Sequence, residues 1–269
     1  MPDADWLQAH ESMVRFSMFA GVLLTFAVAE AAWPMLARRE TRSERWFANL
    51  GLSALSSLLL RIALPGATVL MAVWAQMRGW GLLNQVALPD WLELIVAYLL
   101  FDVSIYAQHV LTHRIPILWR LHLVHHADHE VDVTTAIRFH PIEIVLSQIL
   151  KMGLVLVIGA SPVAVIVFEV VLNATAIFNH ANLNLGPLVD RIVRSILVTP
   201  DMHRIHHSVR PDETNSNYGF SLSLWDRVFG TYRATPYDKL TLGLANLQEA
   251  GTAKLMWCLL APFQKLRSP

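Results

Sequence analysis

An all-α integral membrane protein is the fold class this sequence predicts, and three observations carry that expectation. Of its 269 residues, 54% are hydrophobic and only 16% charged, against about 45–50% and about 25% in soluble domains. Apolar stretches recur at roughly the 20-residue length that a helix needs to cross a bilayer. Short polar segments separate them, and these hold nearly all the histidine: eleven of the twelve fall between His109 and His207. The expected architecture is about four to five transmembrane or re-entrant helices carrying a cytoplasmic, histidine-rich helical cap.

The acidic N-terminus lacks the basic start of a secretory signal and reads as a short amphipathic lead into a retained membrane helix. The first span is expected over residues 16–36, with one acid, Glu30, and a stop at Trp33-Pro34. A basic stretch follows, with Arg38, Arg39, Arg42 and Arg45 set against Glu40 and Glu44. The second apolar region, residues 46–77, is too long for one ordinary span. Arg61 and Pro65-Gly66 interrupt it, so a kinked span, or one span plus a half-inserted segment, is expected. The third span covers residues 88–111. Residues 112–140 turn polar, and a second apolar block over 141–178 divides at Gly159-Ala160-Ser161-Pro162 into two arms short for a full span, so a tight or shallow helical hairpin is expected. Beyond it, residues 179–211 are polar again. In the tail, residues 244–263 suit a helix lying along the interface. The chain thus divides into N-terminal membrane helices (1–90), a histidine-bearing unit (91–232) and a tail (233–269).

Positive residues favour the cytoplasmic side. Placing Arg38 to Arg45 there sends the second region out and the third back, so His109 and His113 arrive at the cytoplasmic end. The hairpin returns His180 to the same side, in a bacterial inner membrane or the endoplasmic reticulum. The formal net charge of 0 gives no basic face for nucleic acid. Lone Cys258 excludes an intrachain disulfide and is expected to be buried and inert. No glycine-rich phosphate loop or dinucleotide fingerprint is present, so no organic cofactor site is expected; Gly79-Trp80-Gly81 lacks the required spacing.

The chemistry resides in the histidine spacing. His109 and His113 are i and i+4 on one helix face. His122, His125 and His126 repeat that geometry as i, i+3, i+4, and so do His203, His206 and His207. Eight imidazoles exceed the four ligands of one zinc ion and suit two metals. Imidazole accepts iron, zinc, copper or nickel, so ligand type alone leaves the metal open. His180 follows the hairpin and is a candidate ninth ligand. His129 and His140 are undecided, and His10 lies outside. Asp102, seven residues before His109, is a candidate carboxylate support for a ligand ring. Arg138 and Arg204 are candidate contacts for a lipid headgroup. A zinc-protease HExxH is absent.

These residues resemble the fatty acid hydroxylase and sterol desaturase superfamily. The resemblance rests on His109-Val-Leu-Thr-His113, His122-Leu-Val-His125-His126 and His203-Arg-Ile-His206-His207. It extends to Arg138-Phe-His140-Pro141, Phe178-Asn-His180, Asn217-Tyr218-Gly219 and Leu224-Trp225-Asp226. It implies a di-iron centre held by His109, His113, His122, His125, His126, His180, His203, His206 and His207, with O₂ as co-substrate. It also implies a hydrophobic lipid substrate, surrounding membrane lipids and a separate electron donor of cytochrome b5, ferredoxin or flavoprotein type. Some members carry a further histidine four residues after the His180 position, where this chain has Asn184. Hydroxylation of a fatty acyl, sterol or related lipid leads, and desaturation is the alternative. A metal transporter fits less well, because the histidines gather at one side of the membrane. A non-catalytic metal-binding scaffold would not need the full ligand set.

Overall fold

The computed structural model describes residues 4–37, 42–248 and 251–265. Arg38, Arg39 and Glu40 of the basic stretch lie outside these residues. Thirteen helices are described: α1 (Ala4–Ala9), α2 (Glu11–Ala32), α3 (Arg42–Ala63), α4 (Ala67–Met77), α5 (Asp90–Arg114), α6 (Pro116–His126), α7 (Pro141–Ile158), α8 (Pro162–His180), α9 (Pro187–Arg194), α10 (Pro200–His206), α11 (Pro211–Thr214), α12 (Leu224–Val228) and α13 (Leu255–Leu260). The described residues contain isolated β-bridges but no strand. Five stretches are long and apolar enough to cross a bilayer: α2, the pair α3–α4, α5, α7 and α8. Their outward residues are large and apolar, among them Phe16, Phe47, Ile62 and Leu70, the surface expected of an integral membrane protein.

Local chemistry sets the breaks. Pro65 has no N–H to continue α3, and Gly66 at φ +60° turns the chain into α4, so the long second region is kinked where the sequence places the break. At the hairpin tip Gly159 ends α7 at φ +70°. Ser161 caps α8 through its hydroxyl, which accepts from Ala164 N–H, and Pro162 fills the first helical position. The arms of 18 and 19 residues are about 27–29 Å long at 1.5 Å per residue, close to the hydrocarbon thickness of about 30 Å.

The two ends of the bundle differ. At one end the hairpin tip packs on the loop after α4. Gly81 lies so close to Gly159 that a side chain there would strike its backbone, and Glu93 accepts from Ser161 N–H at 2.9 Å and its hydroxyl at 3.0 Å. At the other end the charged residues of α2 and α3 turn into the cap. Buried Glu30 accepts from the N–H groups of Val133 and Asn182. Arg45 donates to both oxygens of Asp128, at 2.8 and 3.0 Å, and to Asp132 at 3.0 Å. Burial alone would raise the Asp128 carboxyl, but Arg45 and Arg138 hold it well below the usual carboxylate range. An arginine of the membrane region is thereby tied to the loop that follows His126.

The tail departs from the expected single helix over 244–263. It forms a 3₁₀ turn at Ala245–Leu247, the six-residue α13 and a second 3₁₀ turn at Ala261–Phe263. Gly251 lies between the first turn and α13, which places helix-poor residues where continuity would be needed. Cys258 and Ala261 pack with Ala48, Leu52, Leu123 and Val124, so the tail braces α3 against α6. The Cys258 thiol is buried, as the sequence leads one to expect.

Candidate metal centre

Four elements deliver nine imidazoles to one place. The C-terminal turns of α5 and α8, α6 and α10 each end at the cap, and their histidines share faces because of the i, i+3, i+4 spacing. Proline starts α6, α7, α8 and α10, which fixes where each short helix begins and therefore which face points inward. The nitrogens fall into two groups. His109, His113, His122, His126 and His206 form one; His125, His180, His203 and His207 form the other. Within each group the ligand atoms lie within 4.8 Å of one another. Every one of the nine residues singled out as a metal ligand is in one of the two groups.

Hydrogen bonds on the outer nitrogens fix the tautomers. His109 Nδ1 lies 2.7 Å from the Tyr218 carbonyl, His206 Nδ1 2.7 Å from the Ser216 carbonyl and His122 Nδ1 2.7 Å from Glu143 Oε1. A carbonyl or carboxylate oxygen only accepts, so each Nδ1 carries the proton and donates. Each Nε2 then presents a lone pair inward. Yet His109 Nε2 stands 3.2 Å from His122 Nε2 and 3.1 Å from His206 Nε2. Three lone pairs aimed at one point repel unless a cation lies between them. Nitrogens bound about 2.1 Å from one metal are separated by about 3.0–3.4 Å, which matches. The second group repeats the pattern: His180 Nδ1 donates to Ala176 O at 2.7 Å, and its Nε2 faces His125 Nε2 at 3.2 Å and His203 Nε2 at 3.1 Å.

Both nitrogens of His126 and of His207, and Nε2 of His113, are buried without a hydrogen-bond partner. An unsatisfied buried polar atom costs about 1–3 kcal/mol, and a metal accepts such a lone pair directly. Burial, then the neighbouring imidazoles, pushes the proton affinities of His125, His126, His203 and His206 well below the ordinary histidine value. His207 is depressed in the same way, by burial first and then by His180. Neutral rings are the form that binds metal. The donor set therefore fits two metal ions.

The remaining residues that the sequence singles out lie elsewhere. The carboxylate of Asp102 reaches no histidine. It accepts from Leu222 N–H at 3.2 Å and Trp225 Nε1–H at 2.8 Å, because α5 turns that oxygen toward the loop before α12. His129 donates to Leu247 O. His140 caps α7, its Nδ1 accepting from Ile142 N–H, so neither joins a group. His10 stacks on Trp6. Asn184 accepts from Gly186 N–H in a turn. Arg138 and Arg204 are not headgroup contacts. Arg138 is wholly buried and donates to Val124 O, Asn49 Oδ1 and Thr252 O, and Arg204 is committed to Asp201 and Ala181 O.

Three residues have supporting roles that the sequence does not reveal, although Asn217 and Asp226 lie in motifs that carry the resemblance. Glu143, which fixes His122, carries one signal: it is an acid opening an apolar arm three residues after His140. Asn217, at φ +51°, bends the loop whose neighbours supply the Ser216 and Tyr218 carbonyls. Asp226 accepts from Tyr218 N–H at 2.7 Å and Gly219 N–H at 2.8 Å, pinning that loop from α12. The Asn217-Tyr218-Gly219 and Trp225-Asp226 pieces are one clamp behind His109 and His206.

Residues 94–231 match the family model described as fatty acid hydroxylase, a span that includes all nine histidines, Glu143, the clamp and α12. Among curated proteins, the chain is 35% identical over 151 residues to alkylglycerol monooxygenase of Danio rerio, covering 56% of this chain and 32% of that protein. It is 29% identical over 155 residues to ornithine lipid hydroxylase OlsE of Rhizobium tropici, covering 57% and 45%. To cholesterol 25-hydroxylase of Rattus norvegicus it is 26% identical over 162 residues, covering 59% and 53%. The matched region spans about a third to a half of these relatives. No solved structure matches. With a family model covering half of its length and every clustered histidine, this chain belongs to the fatty acid hydroxylase family.

Proposed function

We propose that this protein hydroxylates a C–H bond of a lipid with O₂, using two iron ions held by the nine clustered histidines. The observation that carries the reading is the pair of adjacent imidazole groups whose inward lone pairs have no proton donor to meet. His109, His113, His122, His126 and His206 would hold one ion, and His125, His180, His203 and His207 the other. Iron so bound supplies the reducing power toward O₂ that protein side chains lack. The balance is a lipid C–H, O₂, two electrons and two protons giving a lipid alcohol and water. The two electrons come from a separate carrier protein. The names of the relatives, a monooxygenase and two hydroxylases acting on lipids, favour hydroxylation over desaturation.

The chain's own residues do the rest. Burial excludes bulk water from the imidazoles of every clustered histidine but His113, which is half-buried. Tyr218 O, Ser216 O, Ala176 O and Glu143 hold the ring orientations and keep the protons on the outer nitrogens. Residues 91–232 form the catalytic unit, residues 1–90 anchor it in the bilayer and the tail braces it. The histidine end faces the cytoplasm, a reading supported by Arg42, Arg45, Arg114 and Arg120 at or near that end of the helices.

The test is incubation of the iron-loaded protein in membranes with a one-electron reductant, ¹⁸O₂ and a lipid extract. One ¹⁸O atom per product lipid is expected. A product lighter by two hydrogens would replace hydroxylation by desaturation, and reductant-independent lipid chemistry would remove the proposal.

A further inference from the structure

Four rings that are not histidine touch the clustered imidazoles, and they divide by which group they touch. Trp119 lies 4.9 Å from His113, 6.3 Å from His122 and 5.3 Å from His126, all in the first group. Tyr218 lies against His109, His113 and His206, again the first group. Phe139 and Phe220 differ from these. Phe139 is stacked on His125 of the second group at 4.4 Å and 9°, and lies 5.9 Å from His122 of the first. Phe220 lies 4.9 Å from His109 of the first group and 6.2 Å from His203 of the second. Each phenyl ring thus spans the boundary between the two groups, one against the rings of α6 and the other against the rings of α5 and α10.

Both phenyl rings keep partial exposure, whereas His109, His122, His125 and His203 behind them are buried. Both residues adjoin membrane-spanning helices. Phe220 packs against the cores built from α2, α5 and α8, and Phe139 stands two residues before α7. Neither carries a polar atom that could bind a metal or shuttle a proton. A flexible alkyl chain can lie against such rings and gains about 25 cal/mol for each Å² of apolar area removed from water.

We propose that Phe139 and Phe220 are specificity-determining residues that position a slender alkyl chain so that one chosen carbon faces the metal pair. The proposal rests on the lipid hydroxylase reading and adds to it the residues that select the carbon.

The experiment uses the full chain, iron-loaded, in phosphatidylcholine nanodiscs, with palmitate deuterated at one carbon at a time as the probe. Deuterium modulation of the electron paramagnetic resonance of the one-electron-reduced iron pair reports which carbon is near, without turnover. In the unsubstituted protein the modulation should concentrate on one carbon or two adjoining ones. In Phe139→Ala and Phe220→Ala, at unchanged iron content, it should move or spread over at least three carbons. The hydroxyl position in product formed from a lipid extract should shift with it. Wild-type carbon profiles in both variants at full iron would overturn the proposal, as would the absence of modulation from any palmitate carbon in the unsubstituted protein. Where an alanine variant loses iron, the corresponding leucine variant is read instead. Iron loss there too would make the rings mere supports of the ligands and overturn the proposal. Failure of the unsubstituted protein to insert oxygen from O₂ into any lipid would instead sink the hydroxylase reading beneath it.

Discussion

Glu143 accepts the Nδ1 proton of His122 across 2.7 Å, joining the first turn of membrane helix α7 to the middle of cap helix α6. A carboxylate behind an imidazole makes the ring a stronger donor to metal and fixes its orientation. Glu143→Ala should therefore weaken metal retention by about 10–100-fold, read by competition with a chelator. Glu143→Gln keeps an acceptor oxygen and should fall between the two. Equal retention in all three proteins would remove Glu143 from the support of the site.

His125 and His206 lie in different groups. His125→Ala and His206→Ala should each lower the iron content and abolish lipid oxidation, with the folded yield preserved by the intact buried core. Normal turnover at normal iron content in either variant would reject that ligand.

The clamp behind His109 and His206 is tight at Gly219, where an added Cβ would come within 2.8 Å of Asp226 Oδ2 and 2.9 Å of Leu222 O. Gly219→Ala should cost about 1–3 kcal/mol of stability and loosen the Tyr218 carbonyl from His109. Denaturant unfolding in detergent checks the first, and the chelation rate of bound metal checks the second. An unchanged unfolding midpoint would contradict the clamp.

Much of this arrangement is legible in the sequence. Helical periodicity places the histidines on shared faces, Pro65-Gly66 and Gly159 to Pro162 mark the breaks, and the apolar runs give the spans. What is not legible depends on contacts distant in the chain. Asp102 shares a helix side with His109, but spacing along α5 cannot say that the loop from Leu222 to Trp225 arrives first to take its carboxylate. Arg138 looks available for a headgroup because two of its partners, Asn49 and Thr252, are 89 and 114 residues away. The backbone carbonyls that orient three rings have no side-chain signature at all.

Arg45 offers a test of that long-range wiring. Its guanidinium is buried and bonded to Asp128 and Asp132, so Arg45→Met takes from both buried carboxylates the cation that bridges them. Breaking such a pair costs about 3–5 kcal/mol. The variant should unfold at markedly lower denaturant, and Arg45→Met unfolding like the parent would show that the network carries no such weight.

The pH response of the metal-depleted protein follows from the depressed proton affinities of His125, His126, His203, His206 and His207. These rings stay neutral when folded, whereas unfolded histidine takes a proton near pH 6.5, its usual value being about 6.5. The unfolded state therefore binds more protons below that pH, and stability falls as pH drops from about 6.5. Above it, these groups contribute no slope. Thermal unfolding between about pH 8 and about pH 5 should show a plateau and then a decline, and a flat profile would contradict the neutral assignment.

Everything proposed for this protein depends on two separate metal ions bound by imidazole nitrogen. The decisive measurement is iron quantification with X-ray absorption on protein purified without oxygen. Two irons per chain in a nitrogen-dominated shell, halved or lost in the His125 and His206 variants, is the expected result. A single iron per chain, or a shell dominated by sulfur, would contradict it.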